Sequence, residues 1–309
     1  IVSLISKILM VLSLFIYSFR TFAFIRKNKY DIVWCENVKV LMANALLKFS
    51  GVKLVFNMWS CVNSKIGLKI ITFISDHIIV EALFQKQMFE SLKSPPVTVI
   101  YTQLDENIFK QQSQDKLKKD FHCNEQKKVI GFLGGARYSK GYDIFIKSAY
   151  NLVVNEGLTD LVFYVAGINM DDDLLNDPEL TEKVKALGNN IVLTKWIEDK
   201  KSFYESIDIF ISTSRSEGLP GAVREAMGFG LPVIATDVGG TREALGNTGL
   251  IIYEIDDERI AGQCAQYIKN LSIDNNKRCI LGDNARKRAY TYFIGDNWVK
   301  ELETVFDNQ

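Results

Sequence analysis

The sequence has few of the residues that build metal centres, disulfide frameworks or basic nucleic-acid surfaces. Its 309 residues include only two histidines, His77 and His122, and their spacing is not that of metal ligands. The five cysteines are scattered, odd in number and without a C-x-x-C pair, so we expect reduced thiols, mostly in the core. Formal net charge is zero. A zinc site and a nucleic-acid partner are therefore not expected.

The chain does have ample material for packed cores, at 47% hydrophobic and 24% charged residues. Its length fits two domains of ordinary size. The charge is uneven, because residues 1–110 carry 13 Lys and Arg against 7 Asp and Glu, while the remainder carries 24 against 30. The basic first part favours either a solvated lysine-rich surface or contact with anionic lipid or a phosphate-bearing acceptor.

Residues 1–25 are the most hydrophobic stretch. The uninterrupted apolar part after Lys7 is shorter than the ~20 residues of a membrane-spanning helix, so we expect a buried or interfacial helix. The chain begins at Ile1 within this apolar segment. We therefore expect an N-terminally incomplete protein. The reduced thiols lead us to expect a cytoplasmic protein. The basic first part and its apolar segment lead us to expect peripheral contact with the inner face of the membrane.

Apolar runs alternate with helical segments along the chain, which predicts an α/β protein with parallel sheets. The apolar runs fall into two groups separated by the charged tract 111–127, so we expect two sheets, each covered by helices. The predicted boundaries are a first domain at 1–110, a linker at 111–127 and a second domain at 128–283. A helical tail at 284–309 carries several aromatic residues and is expected to pack back onto the first domain.

The most informative stretch runs from Ser212 to Gly240 and reads STSRSEGLPGAVREAMGFGLPVIATDVGG. An apolar run precedes it, and Pro220 and Gly230 bracket a helical segment within it, so the predicted order is strand, loop, helix, strand. Glu217 lies on the loop, and Glu225 follows eight residues later on the helix. A loop with a carboxylate, free backbone amides and a helix N-terminus can hold hydroxyl groups and an anion together. This combination suits a sugar attached to a phosphate.

With this stretch in place, the chain from about residue 30 to 306 resembles the retaining, nucleotide-sugar-dependent glycosyltransferases of the GT-B fold, family 4. The resemblance rests on the Glu-x7-Glu pair within S-x-x-E-G-L-P and E-A-M-x-x-G-x-P-V-I-A-T, with weaker similarity in YDIVWCEN, SDHIIVEA, VIYTQLDENIF and FLGGARYSKG. It implies two Rossmann-like, doubly wound α/β domains with the donor cleft between them. The family's first strand and glycine-rich turn have no counterpart before residue 30, which implies a truncated first domain.

The resemblance also implies roles for individual residues. Glu225 would hold the ribose hydroxyls of the donor, and Glu217 would lie against the transferred sugar. Lys140 matches the family's phosphate-binding lysine, whereas the matching arginine position falls at Gly135 and the arginine of this chain stands two places later. The site residues on the two phosphate-facing segments are Gly135, Arg137 and Lys140, and Ser214, Gly218, Leu219, Pro220 and Gly221.

Some of these residues also have a simpler structural interpretation. Glu217 could cap the helix, and Glu225 could be a solvent-facing helical residue. Trp196 and Ile197 stand where the family frames the nucleobase, but Trp196 could equally belong to the core. Ser214 either brings a hydroxyl near the phosphates or is ordinary loop chemistry.

The expected function is transfer of a sugar from a nucleoside-diphosphate sugar to a saccharide or lipid-linked saccharide, with retained anomeric configuration and without a metal or other cofactor. Two alternatives stay open from the sequence. One is a nucleotide-sugar epimerase of the same fold, which should need acid and base residues over the sugar. The other is a protein that binds the donor without transferring the sugar.

Overall fold

The computed structural model describes residues 16–59, 62, 64–110, 127–168 and 177–307. Most of the apolar N-terminal stretch and of the predicted linker, together with Cys61, His122 and Cys123, lie outside these residues. The chain contacts divide the protein into two units. Unit 1 contains residues 1–102 and 296–309, and unit 2 contains residues 103–295.

Unit 1 is built on a sheet of four parallel strands in the order in which they follow along the chain. The strands are nearly continuous apolar runs, as expected when helices cover both faces of a parallel sheet. They are β1 (Ile32–Cys35), β2 (Lys53–Met58), β3 (His77–Val80) and β4 (Val97–Val99). The helices are α1 (16–28), α2 (Val38–Ala43), α3 (Lys65–Ile74), α4 (Leu83–Gln87) and, at the end of the chain, α13 (Asn297–Asp307).

The sheet of unit 1 has apolar residues packed on both faces. One face packs with α2 and α3, and the other packs with Leu302, Val305 and Phe306 of α13. The ring of Phe306 meets Trp34 edge-on, with 6.0 Å between ring centroids. The tail predicted as one helical segment is therefore two helices, because the preceding helix ends at Tyr292 and the chain turns before α13.

Unit 2 contains a parallel sheet of six strands. These strands again are short runs of valine, isoleucine, leucine and phenylalanine with almost no exposed residues. Each strand is one of the apolar runs that we expect, from the sequence, to form the second sheet. They are β5 (Lys128–Leu133), β6 (Leu161–Ala166), β7 (Ile191–Thr194), β8 (Ile209–Ser212), β9 (Val233–Thr236) and β10 (Leu250–Ile252).

Aspartates fix the start of several helices in unit 2, because each side chain accepts a hydrogen bond from a free first-turn amide. Asp177, Asp199, Asp256 and Asp274 act as these caps. The helices are α5 (Asn107–Lys110), α6 (Tyr142–Tyr150), α7 (Pro178–Leu187), α8 (Lys200–Ser206), α9 (Gly221–Gly228), α10 (Thr241–Leu245), α11 (Asp257–Ile273) and α12 (Asn275–Tyr292).

The division into units differs from the predicted domain boundaries at two places. Residues 103–110 and 284–295 fall in unit 2, rather than in the first part and the tail. The reason is aromatic and backbone contact within unit 2: Phe109 packs against Phe229 and Tyr290, and the amide of Leu104 donates to the carbonyl of Phe293 at 2.7 Å.

The remaining sequence expectations concern buried polar residues and the membrane. Cys35 and Cys264 are buried, and burial raises the pKa of these thiols to about 11 and about 12, respectively. Cys279 is exposed. His77 is a buried residue on β3, where its ring bonds to Thr98 and burial lowers its pKa. Within the described ranges, every helix is too short or too polar for a membrane span.

Candidate functional site

The candidate site lies where the chain changes direction across the sheet of unit 2. From β5 the chain moves outward to β6 and β7, then returns to the other side of β5 and continues through β8, β9 and β10. β5 and β8 are therefore neighbours, with Phe132 opposite Ile211. The loops after their carboxyl ends diverge and leave a crevice, which is the usual place for a ligand in a doubly wound sheet.

Two charged side chains from these loops meet in the crevice. Lys140 follows β5, Glu217 follows β8, and the lysine Nζ lies 2.8 and 3.0 Å from the two carboxylate oxygens. The Glu217 side chain is only 11% exposed, and the Lys140 side chain 28%. The hydroxyl of Ser214 donates to Glu217 Oε1 at 2.6 Å. The structure therefore brings together three residues that the sequence assigned to the site.

Two glycines let the surrounding backbone segments approach closely. Gly141, at the end of the turn that carries Lys140, has φ of 68°, and a Cβ there would lie 1.9 Å from the carbonyl oxygen of Thr213. Gly239 has φ of 55°, and a Cβ there would lie 2.1 Å from the carbonyl oxygen of Glu217. Only glycine fits both the backbone conformation and the space. The positions of Lys140 and Glu217 thus depend on contacts that larger residues would prevent.

Arg215 links the loop after β8 to the turn after β5. Its guanidinium pairs with Asp143 and Asp257, at 2.6 Å to one oxygen of each, and donates to the carbonyl oxygen of Tyr138 at 2.7 Å. It also lies over the Tyr138 ring, 3.8 Å from the centroid. Its backbone amide donates to Ser139 at 2.8 Å. Hydrogen bonds to Asp143 and Asp257 raise the pKa of Arg215, so its guanidinium stays positively charged.

Glu225 lies on α9 and is buried, so it is not the solvent-facing helical residue that the sequence left open. Lys200 Nζ lies 2.8 Å from Oε1, and the hydroxyl of Tyr204 donates to Oε2 at 2.7 Å. Burial, followed by the nearby carboxylate, raises the pKa of Tyr204 well above its usual value, so the phenol remains a donor. A carboxylate has about four acceptor positions, and these two partners leave acceptor capacity for a ligand.

The loop after Glu217 leads into the first turn of α9. Pro220 precedes the helix, which begins at Gly221, and the first amides of a helix have no acceptor within it. Leu219 and Pro220 are buried, and the carbonyl oxygen of Gly218 accepts from the amide of Gly240 at 2.7 Å. A cavity of about 30 Å³ is lined by this turn together with Lys140, Ser214 and Glu217. A positive charge, a carboxylate and a helix N-terminus therefore border one space.

The other predicted site residues lie further from this cluster. Gly135 belongs to the turn after β5, and its carbonyl accepts from the amide of Arg137, whose side chain points to solvent. Trp196 and Ile197 follow β7, the edge strand on the opposite side of β6 from the crevice. Trp196 is 74% exposed, which excludes the alternative that it is a core residue.

Three residues of the site were not singled out from the sequence. Arg215 stands inside the S-R-S-E-G motif, but nothing in the motif shows that it points away from Glu217 toward two aspartates. Lys200 and Tyr204 are four residues apart on α8, and this spacing predicts a shared helix face. It does not identify Glu225, some 20 residues later, as their common partner. Among the residues that the structure describes, no group of three or more histidine, cysteine or acidic side chains could hold a metal ion.

Comparison with solved structures confirms the predicted fold class. The structure of Anabaena HepE in complex with UDP and glucose matches 92% of this chain and 79% of its own chain, with a TM-score of 0.77 and 18% identity. A glycosyltransferase structure from Rickettsia africae matches 96% of this chain and 81% of its own, with a TM-score of 0.77 and 19% identity. The chain is thus an α/β protein of the GT-B type with two Rossmann-like domains.

Comparison of sequences extends this similarity to a family. Residues 127–270 match the family described as glycosyl transferases group 1. The capsular polysaccharide biosynthesis glycosyltransferase CapM of Staphylococcus aureus is 27% identical over 207 residues, which are 66% of this chain and 50% of CapM. The lipopolysaccharide core biosynthesis mannosyltransferase LpsB of Rhizobium meliloti is 31% identical over 220 residues, 69% of this chain and 61% of LpsB. The chain spans about half the length of the curated relatives it matches.

Removing the Arg215 guanidinium tests its structural role. In Arg215→Gln the carboxylates of Asp143 and Asp257 lose their cation, so the free energy of unfolding should fall by about 1–3 kcal/mol. Chemical denaturation measures this. Arg242→Gln is the matched control, because Arg242 also pairs with an aspartate but at an exposed position, and it should change little. Equal effects of the two substitutions would contradict the assigned role.

Proposed function

We propose that this chain transfers a sugar from a nucleoside-diphosphate sugar to a hydroxyl of a saccharide or lipid-linked saccharide, with retained anomeric configuration, as a member of family 4. The observation that carries the proposal is the meeting of Lys140 and Glu217 beside the N-terminus of α9. The family match over 127–270 and the polysaccharide-synthesis relatives support sugar transfer. The UDP and glucose named for the HepE structure support a nucleotide-sugar donor.

In the proposed complex Glu225 accepts hydrogen bonds from the ribose hydroxyls. Lys200 and Tyr204 already fix its carboxylate, so little ordering of this side chain is needed when the donor binds. Trp196 and Ile197 would border the nucleobase. The exposed face of Trp196 offers an aromatic surface for that contact.

The diphosphate would lie between Lys140 and the backbone amides of Gly218, Leu219 and Gly221 at the start of α9. Arg137 would reach it from the same turn as Lys140. Without a donor, Glu217 neutralises Lys140. A bound diphosphate brings more negative charge than one carboxylate and would take over the lysine, leaving Glu217 to accept a hydrogen bond from a sugar hydroxyl. Binding of the donor would thus switch the partner of Lys140.

In the transfer step the bond between the anomeric carbon and the diphosphate oxygen breaks, and its electron pair leaves with the diphosphate. The acceptor oxygen forms the new bond on the same face, and its proton goes to the departing phosphate oxygen. Lys140, Arg137 and the helix N-terminus would stabilise the charge that develops on the diphosphate, in place of a metal ion. Glu217 would stabilise positive charge at the anomeric carbon.

Substitution in the site should separate binding from chemistry. With a panel of UDP- and GDP-sugars, we expect Lys140→Ala to lower the rate of nucleotide release by about 10²–10³-fold, as for loss of one donor to a developing anion. Glu225→Gln should weaken donor binding by about tenfold, since one charged hydrogen bond to ribose becomes neutral. Lys147→Ala is the control, because Lys147 also pairs with a glutamate, Glu258, outside the site.

Three results would contradict the proposal. An isomerised donor would indicate an epimerase, and donor binding without turnover would indicate a binding protein. If Lys140→Ala left the rate of nucleotide release unchanged and Glu225→Gln left the donor affinity unchanged, the donor would bind elsewhere. The stereochemistry and metal independence are tested on the same reaction, by the NMR coupling of the anomeric proton in the product and by activity in the presence of EDTA.

We also infer that unit 1 contacts the cytoplasmic face of a membrane through α1. Phe19 and Phe24 are 63% and 59% exposed on this helix, and Arg20 and Lys27 are exposed beside them. Exposed aromatic rings with basic neighbours are typical of helices that lie in the interface of an anionic bilayer.

Vesicle sedimentation tests this contact. The protein should sediment with vesicles that contain phosphatidylglycerol, more weakly at high salt, and the double substitution Phe19→Ser with Phe24→Ser should reduce binding several-fold. Ile255→Ser, at a fully exposed apolar position of unit 2, is the control and should bind as the unaltered protein does. Equal binding to vesicles of phosphatidylcholine alone would contradict the inference.

A further inference from the structure

The Glu225 carboxylate has one hydrogen-bond donor on each of its two oxygens. Lys200 Nζ lies 2.8 Å from Oε1, and the Tyr204 hydroxyl lies 2.7 Å from Oε2. Both donors come from α8 and stand four residues apart, so they lie on one face of that helix. Within the described ranges, this carboxylate accepts no other hydrogen bond.

These two partners leave about half of the accepting capacity of the carboxylate unused. An ionised carboxylate has about two acceptor positions on each oxygen. Because Lys200 and Tyr204 occupy different oxygens, about one position remains on each oxygen. Two hydroxyl groups on adjacent carbons can fill both remaining positions together, whereas a single hydroxyl leaves one of the two oxygens short of a donor.

The two donors differ in how firmly the fold holds them. Tyr204 is 1% exposed, and its ring stacks on Phe229, with 5.1 Å between the centroids and 19° between the planes. Phe203 and Phe210 pack against the same ring. The Lys200 side chain is 42% exposed, so its ion pair lies at the edge of the core, where a ligand can reach it from solvent. The phenol therefore fixes the place of the carboxylate, and the lysine supplies the compensating charge.

We propose that Lys200 and Tyr204 are positioning residues that make the nucleotide site select ribonucleotides over 2′-deoxyribonucleotides. They hold Glu225 with one free acceptor position on each oxygen, which matches the 2′ and 3′ hydroxyls of ribose. A 2′-deoxyribose offers only one of these hydroxyls, and the acceptor left unpaired opposes its binding. Without either positioning residue, the carboxylate turns more freely and serves a single hydroxyl as well as a pair, so the selectivity falls. The inference rests on the proposed function in assigning the ribose to Glu225, but it does not require sugar transfer.

The test compares ribonucleotide and deoxyribonucleotide binding by calorimetry on the intact chain. The unaltered protein should bind UDP at least about tenfold more tightly than 2′-deoxy-UDP, or GDP more tightly than 2′-deoxy-GDP by the same factor. Lys200→Met, which keeps the apolar stem, and Tyr204→Phe, which removes only the hydroxyl, should each lower this ratio by about threefold or more. Lys200→Arg should retain most of it, because a guanidinium also donates to a carboxylate. Lys185→Met is the matched control, because Lys185 also pairs with a glutamate, on α7, and the ratio should not change.

The ratio separates positioning from a merely structural role. Loosening of α8 alone would weaken the binding of UDP and 2′-deoxy-UDP alike, so the ratio would stay the same. An unchanged ratio in Lys200→Met and Tyr204→Phe would overturn the inference and leave the donor site in place, as would equal binding of the two nucleotides by the unaltered protein. If neither UDP nor GDP binds, the donor site and this inference are both wrong. Selective nucleotide binding without any sugar transfer would support the positioning role and overturn only the proposed transfer.

Discussion

The ion pair between Lys140 and Glu217 is the interaction on which the rest of the site depends. Its two side chains come from loops 77 residues apart that follow neighbouring strands. They meet because the strand order changes direction between β5 and β8. Three contacts around the pair fix its geometry. Gly141 and Gly239 allow backbone segments to approach closely, and Ser214 donates a hydrogen bond to the Glu217 carboxylate. Arg215 links the two loops through Asp143 and Asp257. In the proposed function, the charges of Lys140 and Glu217 cancel when no donor is bound, and a bound diphosphate would compete with Glu217 for Lys140.

Glu225 is likewise a carboxylate that pairs with a lysine from another segment of the chain. Its carboxylate is buried on α9, where Lys200 of α8 pairs with it and Tyr204 of α8 donates a hydrogen bond to it. The two glutamates of the motif are thus held by separate cations, one on the turn after β5 and one on α8. In the proposed reaction, Glu225 would therefore stay fixed while Glu217 changes its partner. The separate lysine partners explain how the two glutamates of the motif could have different roles in the proposed reaction.

The strands of unit 2 could be predicted closely because each is a short apolar run between turn residues, and the aspartate caps mark several helix starts. The motif also indicated Glu217 and Glu225 as candidate site residues, and the turn after β5 indicated Lys140. What the sequence could not show were contacts made only in three dimensions. Arg215 reaching Asp143 and Asp257, and Lys200 reaching Glu225, depend on how the helices pack on the sheet. The break before α13 was missed because aromatic residues continue through it.

The most direct measurement is a double-mutant cycle on nucleotide binding. Calorimetry would compare the affinity for UDP or GDP, without sugar, of the unaltered protein, Glu217→Gln, Lys140→Ala and the double variant. If the diphosphate displaces Glu217 from Lys140, Glu217→Gln alone should bind the nucleotide more tightly, and this gain should vanish when Lys140 is absent. A Glu217→Gln substitution that leaves affinity unchanged, or changes it equally in both backgrounds, would contradict the switch of partner at the centre of this account.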